Sequence, residues 1–156
     1  MKQGEIMNIT YKQFENCYAK AVANLQKPWE TEAITYGFVA DTKDETLNYA
    51  KEYFYVALDG ETIVGYVIGE AKTNDKDNYM NVFPMNERYL QVNDLYIAPV
   101  YRSKSIGAEL ITIVEEKSKK NDIEHIFLSS ATIDAESVRR FYVKNDFKIW
   151  TTMFFK

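Results

Sequence analysis

The chain has 156 residues, the size of one compact domain, and its 46% hydrophobic and 27% charged residues exclude a disordered chain. A net charge of −4 excludes nucleic-acid binding over a broad basic face. One cysteine, Cys17, excludes an internal disulfide, one histidine excludes a histidine-rich metal cluster, and no metal is expected. No run is apolar enough for a signal peptide or a membrane span, so the expectation is a single cytoplasmic domain over residues 1–156, with no membrane partner.

In chain order, Thr10 is the expected cap of a first helix, with Phe14, Tyr18, Ala21, Val22 and Leu25 at helical spacing and Pro28 at its end. Cys17 falls on that apolar stripe and reads as core. Residues 41–50 suggest a second, charged helix. Tyr53 to Leu58, Asp59-Gly60 and Thr62 to Ile68 form a hairpin signal, because Asp-Gly suits a tight turn. Residues 72–87 then make a long polar loop.

The strand from Tyr89 to Ile97 carries an irregularity. Leu90 and Val92 share one parity, whereas Leu95 and Ile97 share the other. A β-bulge near Asn93-Asp94 would bring both pairs to one face; a strand buried on both faces is the alternative. A helix follows from about Ser105 to Lys120, with Ile106, Leu110, Ile113 and Val114 on one stripe and lysines at its end. Ile126 to Leu128 is a short strand. Asp134 caps a helix bearing Val138, Phe141 and Tyr142, and Phe147 to Phe155 is expected to close the sheet. The order is mixed α and β, with two βα units in the second half.

Between the irregular strand and its helix lies Arg102-Ser103-Lys104-Ser105-Ile106-Gly107-Ala108. A tight turn of small residues at this point directs backbone N–H groups into one concavity at the positive end of a helix, which is an anion site. Arg102 and Lys104 add charge beside it. An ordinary strand-to-helix loop with a serine cap is the plainer alternative.

These residues resemble the Gln/Arg-x-x-Gly-x-Gly/Ala motif of the GNAT superfamily, the acetyl-CoA-dependent N-acetyltransferases. Arg102 and Gly107 match its ends, and Ser105 replaces the middle glycine. Phe141-Tyr142-Val143-Lys144-Asn145-Asp146-Phe147 resembles the family's Phe-Tyr-x-Lys-x-Gly-Phe, with Asp146 in place of glycine. The asparagine usual near the start of the fourth helix is absent; Asp134 or Ala135 stands there.

The resemblance implies an α/β fold, a mostly antiparallel twisted sheet of six to seven strands flanked by about four helices, with a bulged and splayed fourth strand. It implies acetyl-CoA as donor, its pyrophosphate on Arg102 to Ala108 and its pantetheine arm along Leu95, Tyr96 and Ile97. A backbone N–H of that strand polarises the thioester, and Tyr142 is the implied general acid toward the sulfur; from periodicity alone, Tyr142 reads as a core residue.

An alkylammonium acceptor must lose a proton, its pKa being about 10.4. Asp94, beside the bulge, is the first candidate base, with Glu52, Glu87 or a water chain as alternatives. Arg139, Arg140 or Lys144 could meet the 3′-phosphate. The expected acceptor is a primary amine of a small molecule, held by Trp29, Tyr36, Phe38 and the 72–87 loop, whose Asp75, Asp77 and Glu87 could attract a cation. A non-catalytic acyl-CoA sensor, and acetylation of a protein lysine or N-terminus, are the alternatives. The aromatic closing strand could pair across subunits to make a homodimer.

Overall fold

The computed structural model describes residues 7–77 and 79–156. Its elements are β1 (Ile9–Gln13), α1 (Ala19–Glu32), α2 (Lys43–Leu47), β2 (Tyr53–Asp59), β3 (Thr62–Thr73), β4 (Arg88–Ile97), α3 (Ile106–Lys120), β5 (His125–Leu128) and α4 (Ala135–Lys144). The strands form one sheet in the order β1-β2-β3-β4-β5. Neighbours are antiparallel except β4 and β5, which the α3 crossover makes parallel.

The sheet separates two cores. On one face, Phe54, Val56, Tyr66, Ile68 and Tyr96 meet Val22 and Trp29 of α1. On the other, Val64, Val67, Leu90 and Val92 meet Ile106, Leu110, Ile111 and Val114 of α3. The hairpin is present as expected, with Gly60 at φ 61° in its turn. The bulge is present too: Ile68 pairs with Asp94 but Gly69 pairs with Val92, leaving Asn93 as the extra residue. Leu90, Val92, Leu95 and Ile97 consequently all face α3.

Five expectations need correction. Among the described residues the sheet has five strands, not six to seven, because residues 147–156 pair with no strand. High β-propensity does not make a strand without a hydrogen-bonding partner. Trp150 reaches the Phe127 ring at 6.0 Å, while Met153 and Phe154 are 90% exposed.

Thr10 lies within β1 and caps no helix, since Ile9 to Gln13 pairs with β2. Pro28 does not end α1 but sits inside it; burial of Gln26 and Trp29 on either side outweighs the lost backbone bond. Cys17 is exposed in a single 3-10 turn, outside the core, because α1 begins only at Ala19. The second helix is likewise shorter than expected, Lys43–Leu47, closed at its start by a capping box between Thr42 and Glu45. No helix among the described residues is long and apolar enough to cross a membrane.

Candidate active site at the β4–β5 fork

β4 and β5 pair only from Tyr89–His125 to Val92–Leu128. Beyond the bulge β4 runs on to its end at Ile97 paired with β3 but no longer with β5. Ala98 N–H donates to Val64 O at 2.9 Å, on the β3 side. By the alternation of a strand, the backbone groups of Leu95 and Ile97 then point into the space left by β5. The Ile97 carbonyl confirms this direction, accepting from Arg102 Nε at 2.9 Å. The fork is thus an open strand edge inside the fold.

The loop after β4 bends sharply to start α3. Ser103 and Ser105 take φ 60° and 63°, the left-handed region that glycine adopts more easily. Ser105 precedes the helix without a side-chain capping bond. The first amides of α3, from Ile106, Gly107 and Ala108, therefore lack intrahelical acceptors and face the fork end of the helix. Gly107 permits close packing: a Cβ there would approach Phe141 Cζ of α4 to 3.2 Å.

The two cations expected beside this concavity are engaged elsewhere. Arg102 donates to Glu32 through Nη1 at 2.7 Å and Nη2 at 2.9 Å. Lys104 Nζ donates to Val100 O at 3.0 Å and lies 5.5 Å from the Tyr101 ring centre. What the loop presents is backbone dipole.

Tyr142 packs on α4 between Phe141 at 5.0 Å and Phe147 at 5.4 Å, on the α3 face of the sheet. The Phe141 to Phe147 segment is a Schellman cap. Phe147 N–H donates to Tyr142 O at 3.0 Å, Asp146 N–H donates to Val143 O at 3.2 Å, and Asp146 takes φ 66°. The left-handed cap explains the glycine-like position, and the Phe147 ring holds Tyr142 from beyond the helix end. Burial pushes the Tyr142 phenol up to about 12.

Asp94 faces the opposite core, beside Tyr66, whose hydroxyl donates to Oδ2 at 3.5 Å. Burial, and then the charge of Asp41, raise its carboxyl to about 6. Asp41 itself accepts from Gln26 Nε2 at 3.1 Å and Tyr49 OH at 3.0 Å. An open depression of about 220 Å³ adjoins the bulge here, lined by Tyr49, Ile68, Gly69 and Asn93 among others. Asp94 and Tyr142 therefore approach β4 from opposite faces of the sheet.

The other expected residues divide. Trp29 and Phe38 stack at 3.9 Å, and Trp29 stacks on Tyr96 at 4.8 Å, forming a wall on the α1 face. Tyr36 is exposed and meets Phe155 edge-on at 5.1 Å. Its neighbours strap the fork: Tyr36 N–H donates to Ala131 O at 2.7 Å and Ile133 N–H to Ile34 O at 2.9 Å. Glu87 pairs with His125 at 2.7 Å, and Glu52 accepts from Asn121 at the end of α3. Both lie at the end of the sheet opposite the loop. Asp75 and Asp77 belong to the turn that Asn74 organises, which precedes the start of β4. Arg139 pairs with Glu136 and Arg140 with Ser137 on the exposed side of α4. Glu32, Asp41 and Tyr66 were not singled out by sequence; Glu32 is 70 positions from its partner Arg102, and no local pattern signals such a pair.

The fold is shared with known acetyltransferases. An aminoglycoside acetyltransferase from an uncultured soil metagenomic sample, in complex with trehalose, matches with TM-score 0.69 at 15% identity, covering 95% of each chain. AAC(6')-Iy, in complex with a bisubstrate analog joining CoA to monomethyl-acetylneamine, matches with TM-score 0.70 at 12% identity over 96% of this chain and 97% of that one. A ribosomal-protein-alanine N-acetyltransferase from Brucella melitensis biovar Abortus 2308 matches with TM-score 0.66 at 16% identity over 94% and 99%. No curated protein matches in sequence. The model of the acetyltransferase (GNAT) family matches residues 9–147, which takes in the bulged strand, the strand-to-helix loop and the Tyr142 cap. The chain belongs to the acetyltransferase (GNAT) family, acetyl-CoA-dependent N-acetyltransferases.

Proposed function

We propose that the β4–β5 fork holds acetyl-CoA and that the protein transfers its acetyl group to a primary amine of a small molecule. The observation that carries this reading is the bulge at Asn93, after which β4 leaves β5 and presents a free backbone edge. The residues fit the group. The Leu95 backbone and the Ile97 N–H suit an amide-bearing arm, the Ile97 carbonyl being held by Arg102, and the amides of Ser103 to Ala108 suit a pyrophosphate, with Arg102 anchoring the start of that loop.

When bound, acetyl-CoA supplies an activated thioester carbonyl. The chain's own residues do the rest. A backbone N–H of Leu95 or Ile97 polarises that carbonyl. Asp94 takes the proton of the incoming ammonium, directly or through water. Its elevated pKa makes it a stronger base than an ordinary aspartate while leaving it mostly ionised at neutral pH. Tyr142 stays neutral across the physiological range and donates a hydrogen bond to the departing sulfur. The amine enters from the α1 face, past Trp29 and Phe38, where Asp41 and Asp94 favour a cation.

The test is thiol release from acetyl-CoA in the presence of a polyamine, an aminoglycoside, an amino acid and a lysine-containing peptide, each separately. Release that depends on a small amine is expected. Tight acetyl-CoA binding with no release on any amine would replace the reading with a sensor. Release on the peptide alone would move the acceptor to protein.

A further inference from the structure

We propose that Glu32 and Arg102 form a latch that ties the acceptor-side helix α1 to the coenzyme loop, so that Arg102 positions the loop without binding phosphate. The proposal rests on the coenzyme reading above and assigns Glu32 a role in that site.

Glu32 is the last residue of α1, and Ala33 after it turns the chain at φ 53° into the strap across the fork. Both Glu32 carboxylate oxygens are used. Oε2 accepts from Arg102 Nη1, while Oε1 accepts from Arg102 Nη2 and from the Tyr96 hydroxyl. The third arm of the guanidinium, Nε, holds the Ile97 carbonyl at the end of β4. One planar fork therefore joins three places: the end of α1, the end of β4 and the first residue of the loop. The guanidinium carbon lies 5.4 Å from the centre of the Tyr96 ring, which itself stacks on Trp29.

This geometry needs arginine. An ammonium is a point charge and cannot bridge two carboxylate oxygens and a carbonyl in one plane. The pair also removes Arg102 as a free cation, because Glu32 neutralises it. Burial works against the Glu32 charge, but hydrogen bonds from Arg102 and Tyr96 and the charge of Arg102 outweigh it and hold the carboxyl below its usual value. The phosphate concavity is left to amides. The acceptor wall and the loop share one anchor, so disturbing either end disturbs both substrates.

The test measures acetyl-CoA affinity by titration, together with kcat and both KM values, for Glu32→Gln, Arg102→Gln and the double variant. The latch predicts that each single change weakens acetyl-CoA binding by about 3- to 30-fold and raises the acceptor KM, while kcat falls less. The double variant should be no weaker than the worse single one, since both changes break the same contact. Arg102→Lys, which keeps the charge and the fold, should weaken binding as Arg102→Gln does, and decides the matter should the other variants not fold. If Arg102 binds phosphate instead, Glu32→Gln frees it and leaves affinity equal or tighter, and Arg102→Lys stays near wild type; either result overturns the latch. Wild-type protein that does not bind acetyl-CoA would overturn the coenzyme reading itself.

Discussion

Asp94→Asn should lower kcat/KM for an amine acceptor by about 10²-fold or more at neutral pH, the usual scale for loss of a general base. The wild-type rate should fall as pH drops through about 6, where the Asp94 carboxylate takes up its proton. The variant should lack that limb. The same substitution should stabilise the fold. The Asp94 pKa is raised in the folded state, from the ordinary 3.8 to about 6, so the folded chain binds more protons than the unfolded chain between those values. Stability therefore falls as pH rises from about 4 to about 6, and the penalty is complete above 6. Asparagine carries no charge to desolvate and can still accept from the Tyr66 hydroxyl. A shift of about two units corresponds to up to about 3 kcal/mol. Melting curves at pH 7.5 should show a higher Tm for Asp94→Asn, with the difference closing near pH 4. Unchanged turnover together with a higher Tm would leave Asp94 as a buried acid with no part in the reaction.

Tyr142→Phe should reduce kcat by about 10²- to 10⁴-fold with acetyl-CoA affinity nearly unchanged. The ring contacts with Phe141 and Phe147, and the backbone cap, do not use the hydroxyl. Phenylalanine keeps them, so the fold should hold and the loss should isolate the hydroxyl. The Tyr142 pKa of about 12 lies above that of a thiol, about 8.5, so complete proton transfer to a free thiolate is uphill. The hydroxyl then acts chiefly as a hydrogen-bond donor while negative charge builds on sulfur. Loss should be smaller with a thioester whose thiol is a better leaving group. Equal loss across donors would assign Tyr142 to packing.

The contrast between Asp94 and Tyr142 also explains what could be read from sequence. The parity break between Leu90-Val92 and Leu95-Ile97 revealed the bulge because one buried face imposes period two, and one extra residue is the cheapest repair. Ser105 and Asp146 stand where their motifs carry glycine, and both take left-handed backbone. These features are local. At Pro28 and Thr10 local propensity yields to tertiary burial and to strand pairing with β2. Composition overstates the closing strand, since aromatic content does not supply a partner edge. The Glu32–Arg102 pair and the Asp41–Asp94 neighbourhood arise from contacts made by distant segments, and no spacing in the chain announces them. Only its motif marks Tyr142; as periodicity, it is one apolar position of α4.

Amide hydrogen exchange with and without acetyl-CoA tests the placement of the donor most directly, because it reads the backbone groups on which the account depends. Protection should rise at Leu95 and Ile97 and from Ser103 to Ala108, with little change in β1 and β2. Acetyl-CoA that binds while leaving those amides unchanged, or that protects a different edge of the sheet, would contradict the fork as the site.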